Sequence, residues 1–72
     1  MKESFKKACE KYLGKETDTI KVKFPDGGYV YLRFNKDKVT MIYCGGYMNF
    51  AIKEDTTPSN MADRLCNWVN NM

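Results

Sequence analysis

The sequence contains no histidine, and its three cysteines are widely spaced and form no CxxC pair. Histidine is the side chain that most readily exchanges a proton near neutral pH, and clustered cysteines and histidines are the usual zinc ligands. The carboxylates are not spaced to act as a catalytic pair. We therefore expect a protein that is not an enzyme and that binds no metal and no cofactor. An odd, scattered cysteine count predicts reduced thiols and a cytoplasmic location rather than a disulfide framework.

Long hydrophobic runs are also missing. The longest uncharged segment, VTMIYCGGYMNFAI at residues 39–52, is shorter than the roughly 20 residues that span a bilayer, and a glycine pair divides it. The N-terminal segment MKESFKKACEKYL is too charged for a signal peptide. We expect a single small domain over residues 1–72 that makes no contact with a membrane.

The composition that remains is that of a globular domain, with 43% hydrophobic residues and 14% aromatic residues. The net charge of +3 is small but unevenly placed, because residues 1–53 carry eleven Lys or Arg against six acidic residues. A surplus of this size permits an anionic partner without requiring one.

Two segments have the apolar spacing of a helix. The first, near the N-terminus, places five residues on one helical face: Phe5, Ala8, Cys9, Tyr12 and Leu13. Gly14 predicts its end. The second begins at Thr57, a favourable N-cap, followed by Pro58 at the first helical position. Its apolar stripe consists of Met61, Ala62, Leu65, Cys66, Trp68, Val69 and Met72.

Between the helices, four short segments alternate as strands do: Ile20–Phe24, Tyr29–Phe34, Val39–Cys44 and Tyr47–Ile52. The turn sequences between them predict how the strands pair, because hairpin loop length fixes the register. We expect a three-residue loop at residues 26–28, a two-residue loop at residues 36–37 and a two-residue loop at residues 45–46. These loops pair Phe24 with Val30, Phe34 with Val39, and Cys44 with Tyr47.

The three predicted registers leave one sheet face uniformly apolar. Its members are Ile20, Val22, Phe24, Val30, Leu32, Phe34, Val39, Met41, Tyr43, Met48, Phe50 and Ile52. The sequence therefore predicts an α+β fold with two layers, in which a four-stranded antiparallel meander of order 1-2-3-4 carries the N-terminal and C-terminal helices on this one face (αββββα). The other face is left open to solvent.

The open face is the candidate binding surface. The residues singled out on it are Lys21, Lys23, Tyr29, Tyr31, Arg33, Ile42, Tyr47 and Asn49. The predicted registers align them in three rows: Lys23, Tyr31, Ile42 and Asn49; then Tyr29, Cys44 and Tyr47; then Lys21, Arg33, Thr40 and Ala51. A purely structural explanation also exists, since Tyr, Ile and Thr favour strands wherever they occur. Tyrosine is nevertheless enriched at interface hot spots, and Ile42 in the middle of a solvated face does nothing for solubility.

These observations predict a non-enzymatic protein-binding domain, an inhibitor or adaptor of a larger macromolecule that uses the open face. Small phage-encoded inhibitors of bacterial defence systems, such as anti-CRISPR proteins, are one class of this size. The alternative is a single-stranded nucleic-acid-binding protein, in which the tyrosines stack on bases while Lys21, Lys23 and Arg33 hold phosphates. A third interpretation is a homodimer formed through this face or along the edge of the second helix.

Overall fold

The computed structural model describes residues 2–71 of the chain. The elements are helix α1 (Lys2–Tyr12), strands β1 (Ile20–Lys23), β2 (Tyr29–Phe34), β3 (Lys38–Tyr43) and β4 (Gly46–Ala51), and helix α2 (Pro58–Asn70). The strands form one antiparallel sheet in the order β1-β2-β3-β4. The predicted αββββα fold is confirmed.

The end of α1 and the start of α2 lie where the local sequence predicts. Helix α1 is followed by Gly14, whose φ of +81° lies in the left-handed region that favours glycine after a helix. Helix α2 has a complete capping box: the Thr57 hydroxyl accepts a hydrogen bond from the Asn60 N–H at 3.1 Å, and Asn60 Oδ1 accepts one from the Thr57 N–H at 2.9 Å. Pro58 occupies the first helical position, where its missing N–H costs nothing.

The core lies between the sheet and the two helices, which pack side by side. Its buried members are Phe5, Cys9, Val22, Val30, Leu32, Phe34, Val39, Met41, Phe50, Met61, Ala62 and Leu65. Helix α1 covers the β1–β2 half of the sheet, where the Tyr12 and Phe34 ring centroids are 5.6 Å apart. Helix α2 covers the β3–β4 half, where the Trp68 ring is 6.5 Å from that of Phe50. One sheet face is thereby filled. Met72, predicted to extend the α2 stripe, lies outside the described residues.

The middle hairpin has the predicted register, with Phe34 opposite Val39. In the first hairpin the prediction was wrong by two residues, because Val22 lies opposite Val30 and the loop is residues 25–27. The loop has the predicted number of residues, three, and Gly27 within it adopts a left-handed φ of +94°.

The third hairpin is also displaced by two residues from the prediction. Tyr43 pairs with Gly46, so the loop is Cys44-Gly45 and not Gly45-Gly46. Gly45 then takes the third turn position with a φ of +104°, which only glycine adopts easily there. A shift of two residues leaves every side chain on its predicted face, so the two layers survive the error.

Met48 is the one residue of the predicted apolar face that the structure leaves exposed, at 37% of its surface. Four others are only partly buried and pack at the margin of the core: Ile20, Phe24, Tyr43 and Ile52. Met48 lies on edge strand β4, which has a neighbouring strand on one side only. The sequence pattern assigned it the correct face but could not show that this edge is uncovered.

Candidate functional site

The open face of the sheet carries all eight predicted site residues. The strand pairs place them in rows that differ from the predicted ones, because two registers are displaced. One row crosses all four strands and consists of Lys21, Tyr31, Ile42 and Tyr47. The next consists of Arg33, Thr40 and Asn49, and a shorter one pairs Lys23 with Tyr29. The predicted rows joining Lys23 to Tyr31 and Lys21 to Arg33 are therefore wrong.

In the observed register, the apolar side chains of the open face lie closer together than in the predicted one. Ile42 lies directly between Tyr31 and Tyr47 on the neighbouring strands. None of the three is covered: Tyr47 is 67% exposed, and Tyr31 and Ile42 are each 37% exposed. The result is a contiguous aromatic and aliphatic strip across β2, β3 and β4.

Tyr29 joins this strip at the β1–β2 end. Its ring packs edge to face against that of Tyr31, with centroids 5.5 Å apart. The Lys21 ammonium lies 4.2 Å from the Tyr29 ring centroid, a cation–π arrangement. These contacts hold the two rings in defined orientations and occupy part of their π surfaces.

The charges on this face have one sign. Its strand residues include four cations, Lys21, Lys23, Arg33 and Lys38, and no Asp or Glu. The sequence reasoning missed Lys38 because it placed that residue in the turn, whereas β3 begins there. The one signal that could have found it is the alternation itself, since Lys38 is two residues before Thr40. Glu16 and Asp37 lie in loops beside the Arg33 end of the face and line the same surface depression as Arg33 and Tyr47.

Asn49 and Thr40 form the polar part of the surface. The Thr40 hydroxyl donates a hydrogen bond to Asn49 Oδ1 at 2.7 Å, across the pair that the register sets directly opposite. With its oxygen engaged, the Asn49 amide group is oriented so that its NH₂ remains available as a donor. The polar row thus offers a directional contact next to the apolar strip.

A concave region lies at the tyrosine end of the face, between the β1–β2 and β3–β4 turns. It has a volume of about 420 Å³ and is lined by Gly27, Gly28, Tyr29, Tyr31, Ile42, Tyr43 and Cys44. Cys44 is exposed in its turn. The volume and the lining of this concave region suit a single inserted side chain better than a cofactor. Most of its surface is aromatic side chain or backbone, and it carries no charge.

Residues 2–71 contain no group of three or more His, Cys, Asp or Glu side chains placed to hold a metal ion. Neither helix in that range is long and apolar enough to pass through a membrane.

Comparison of the chain with protein-family models, with curated protein sequences and with solved structures gives no match.

Proposed function

We propose that this protein is a non-enzymatic protein-binding domain, an inhibitor or adaptor that contacts a larger macromolecule through the open face of its sheet. The observation that carries the proposal is the row in which Tyr31, Ile42 and Tyr47 lie side by side without cover. A strip of two tyrosines around an isoleucine supplies the large area and polar tips that interface hot spots use.

The charges around the strip indicate what kind of partner surface would be complementary to it. Four cations flank the strip and no carboxylate lies among them on the strands. A partner surface that is apolar at its centre and acidic at its rim is complementary, and such complementarity mainly sets orientation and the association rate. The concave region beside Tyr29 and Tyr31 accepts one projecting side chain of that partner.

Single-stranded nucleic acid is the alternative occupant, since four cations and three tyrosines share the face. Two contacts favour the protein partner. Base stacking needs free ring faces, whereas Lys21 lies over the ring of Tyr29, and Tyr29 packs edge to face against Tyr31. Binding a base there requires these contacts to be exchanged first.

The test compares capture of partners by three forms of the protein. The first is unchanged, the second carries Tyr31→Ala and Ile42→Ala, and the third carries Lys7→Ala and Glu10→Ala. The last pair lies on the exposed side of α1, keeps the net charge and serves as the matched control. Extracts are treated with nuclease before capture, and the captured protein is then purified for titration calorimetry.

We expect the open-face variant to bind that protein at least about 30-fold more weakly, since each hot-spot truncation costs roughly 1–2 kcal/mol or more and about 1.4 kcal/mol corresponds to tenfold. The α1 control should bind as the unchanged protein does, and salt should weaken the binding only modestly, because the charges at the rim act mainly on the association rate. If oligonucleotides bind instead, with an affinity that falls steeply with salt and depends on Lys21, Lys23 and Arg33, the nucleic-acid alternative is correct. Equal binding by all three forms would refute any role for the face.

A further inference from the structure

Strand β4 leaves backbone hydrogen-bonding groups unpaired along the outer edge of the sheet. In an antiparallel ladder, alternate residues point their N–H and C=O groups to opposite sides. The Ile52 N–H bonds to the Asp37 carbonyl at 2.8 Å and extends the β3–β4 ladder by one pair. Every second residue back from Ile52 therefore bonds to β3, namely Phe50, Met48 and Gly46.

The intervening residues, Tyr47, Asn49 and Ala51, point their backbone groups away from the sheet. The Ala51 carbonyl already accepts a hydrogen bond from Arg64 Nη1 at 2.9 Å. The N–H and C=O groups of Tyr47 and Asn49 remain, and among residues 2–71 the ladder provides them with no partner. These four groups form a short template for a further strand.

The opposite edge of the same sheet is protected, and this contrast is informative. Strand β1 has only four residues, two of them lysines, and Pro25 follows one residue later. Short length, lysine and nearby proline are the devices that prevent edge pairing. Strand β4 has six residues, GYMNFA, without a charge or a proline. The chain protects the β1 edge and leaves the Tyr47–Asn49 part of the β4 edge open, beyond the Arg64 side chain that caps Ala51.

Met48 supplies a second and independent observation. Its side chain lies on the helix-bearing side of β4, where the apolar pattern predicts burial, and yet it is 37% exposed. A strand added beside β4 would cover it. Addition of a strand would therefore give the unpaired backbone groups hydrogen-bonding partners and would also bury the exposed Met48 side chain.

We propose that two copies of this chain pair through β4, antiparallel, about a two-fold axis normal to the sheet. Met48 lies opposite Met48 of the second copy, and Tyr47 lies opposite Asn49 of the second copy. The sheet becomes continuous over eight strands, and the two open faces lie on the same side.

The register follows from the groups that are free. Only Tyr47, Asn49 and Ala51 point outward, so any two-fold pairing must match odd-numbered residues with odd-numbered residues. The pairing of Tyr47 with Asn49 forms four hydrogen bonds across the axis and leaves the bond between Arg64 and Ala51 intact. A register centred on Asn49 would need the Ala51 carbonyl, and one centred on Tyr47 would draw in the turn residue Gly45.

The second copy is favoured over an unrelated strand because β4 is complementary to itself in this register. The two Met48 side chains meet in a closely spaced, non-hydrogen-bonded pair on the helix side, and their flexible thioethers adapt to one another. Gly46 lies opposite Phe50 of the second copy, so the smallest residue of the strand faces a bulky aromatic one. No like charges meet along the strands, because β4 has none.

The size of the contact predicts a weak dimer. Six residues at about 3.4 Å each give an edge about 20 Å long, and the molecule is 19 Å across in its smallest extent. The contact therefore covers at most roughly 400 Å² per copy, about half of what a standard stable interface buries. Exchange between monomer and dimer should accordingly be measurable in solution.

The test is sedimentation equilibrium of the full chain from about 10 μM to about 1 mM, a range chosen for an interface of this size. We expect the average mass to rise from 8.4 kDa towards twice that value. The amide protons of Tyr47 and Asn49 should exchange more slowly as concentration rises, which a dimer formed elsewhere would not produce.

Two variants and one control complete the experiment. Met48→Lys puts a charge on the axis, and Asn49→Pro removes an outward N–H that the fold itself does not use. Each should raise the dimer Kd about tenfold or more, equivalent to about 1.4 kcal/mol. Thr19→Lys is the control, because it adds the same charge as Met48→Lys but lies just before β1, at the opposite edge of the sheet. The Thr19→Lys protein should dimerise as the unchanged protein does. Circular dichroism of the three variants checks that each one folds. A mass of 8.4 kDa throughout for the unchanged protein, or a dimer that both β4 variants preserve, would overturn the proposal.

Discussion

The three cysteines occupy three different environments. Cys9 is buried, Cys66 is half-buried and Cys44 is exposed. Burial raises the pKa of the Cys9 thiol from its ordinary value of 9.0 to about 11, because the apolar core disfavours the thiolate. Cys9 therefore acts as a small apolar core residue rather than as a nucleophile.

The raised pKa of Cys9 makes stability depend on pH at the alkaline end. Between pH 9 and pH 11 the unfolded chain releases a proton that the folded chain retains, so the free energy of unfolding falls as pH rises. The stabilisation is complete below pH 9 and is lost as pH passes about 11. We expect a loss of about 2–3 kcal/mol across this window, measured by urea unfolding at several pH values.

Cys9→Ala is the control for that measurement, because it removes the titrating thiol but keeps a small apolar side chain. Its stability should fall less steeply over the same pH range, since the buried thiol that retains its proton in the folded chain is gone. If the unchanged protein and Cys9→Ala lose stability in parallel, Cys9 is not the source of the dependence.

At the scale of single elements, the capping box of α2 is the clearest case in which a few residues determine where a helix begins. The Thr57 hydroxyl and the Asn60 amide each satisfy one backbone N–H of the first turn. Thr57→Ala removes one of these bonds and should lower the free energy of unfolding by about 1 kcal/mol. Thr57→Ser keeps the hydroxyl and should cost little. Urea unfolding measures both.

Ser59→Ala is the comparison that separates capping from general effects on the first turn. Ser59 is exposed in the same turn, and its hydroxyl makes none of the hydrogen bonds that close the capping box. A loss for Thr57→Ala no larger than that for Ser59→Ala would mean that the cap contributes nothing to stability.

The strands show how far the sequence determines this fold. The face of each strand residue was predictable because alternation has a period of two, and that assignment placed Val30 and Tyr31 on their correct sides. The registers of the first and third hairpins were not predictable, because displacing a hairpin by two residues changes no face. The first turn uses Gly27 and the third uses Gly45 in the left-handed region, and each has a second glycine beside it that fits a displaced loop equally well.

The same ambiguity explains which parts of the candidate site were missed. The membership of the open face followed from alternation, but its arrangement required the register. Lys21 and Tyr47 join Tyr31 and Ile42 in one row only in the observed pairing. Exposure of Met48 depends on what lies beyond the last strand, which is a tertiary property that no local pattern contains.

For the whole molecule, the separation of one sheet into a filled face and an open face is the property on which the proposed function depends. Met41 and Ile42 are neighbours on β3 and point to opposite faces; Met41 is fully buried and Ile42 is 37% exposed. A domain of this size has only about 4–11 kcal/mol of stability in total. Because Met41 and Ile42 are similar in size and adjacent in sequence, they make a matched pair for measuring how much each face of the sheet contributes to the free energy of unfolding.

Met41→Ala should lower the free energy of unfolding by about 2–5 kcal/mol, because it leaves a cavity among residues that α1, α2 and the sheet share. Ile42→Ala should cost about 1 kcal/mol or less, since it removes only cross-strand contacts with Tyr31 and Tyr47. Urea unfolding of both variants under identical conditions measures the difference. Equal losses in the free energy of unfolding would mean that Ile42 is needed for stability, which would contradict the proposal that the open face is a binding surface. A clearly smaller loss for Ile42→Ala would mean that stability does not require Ile42, as expected for a residue that contacts a partner.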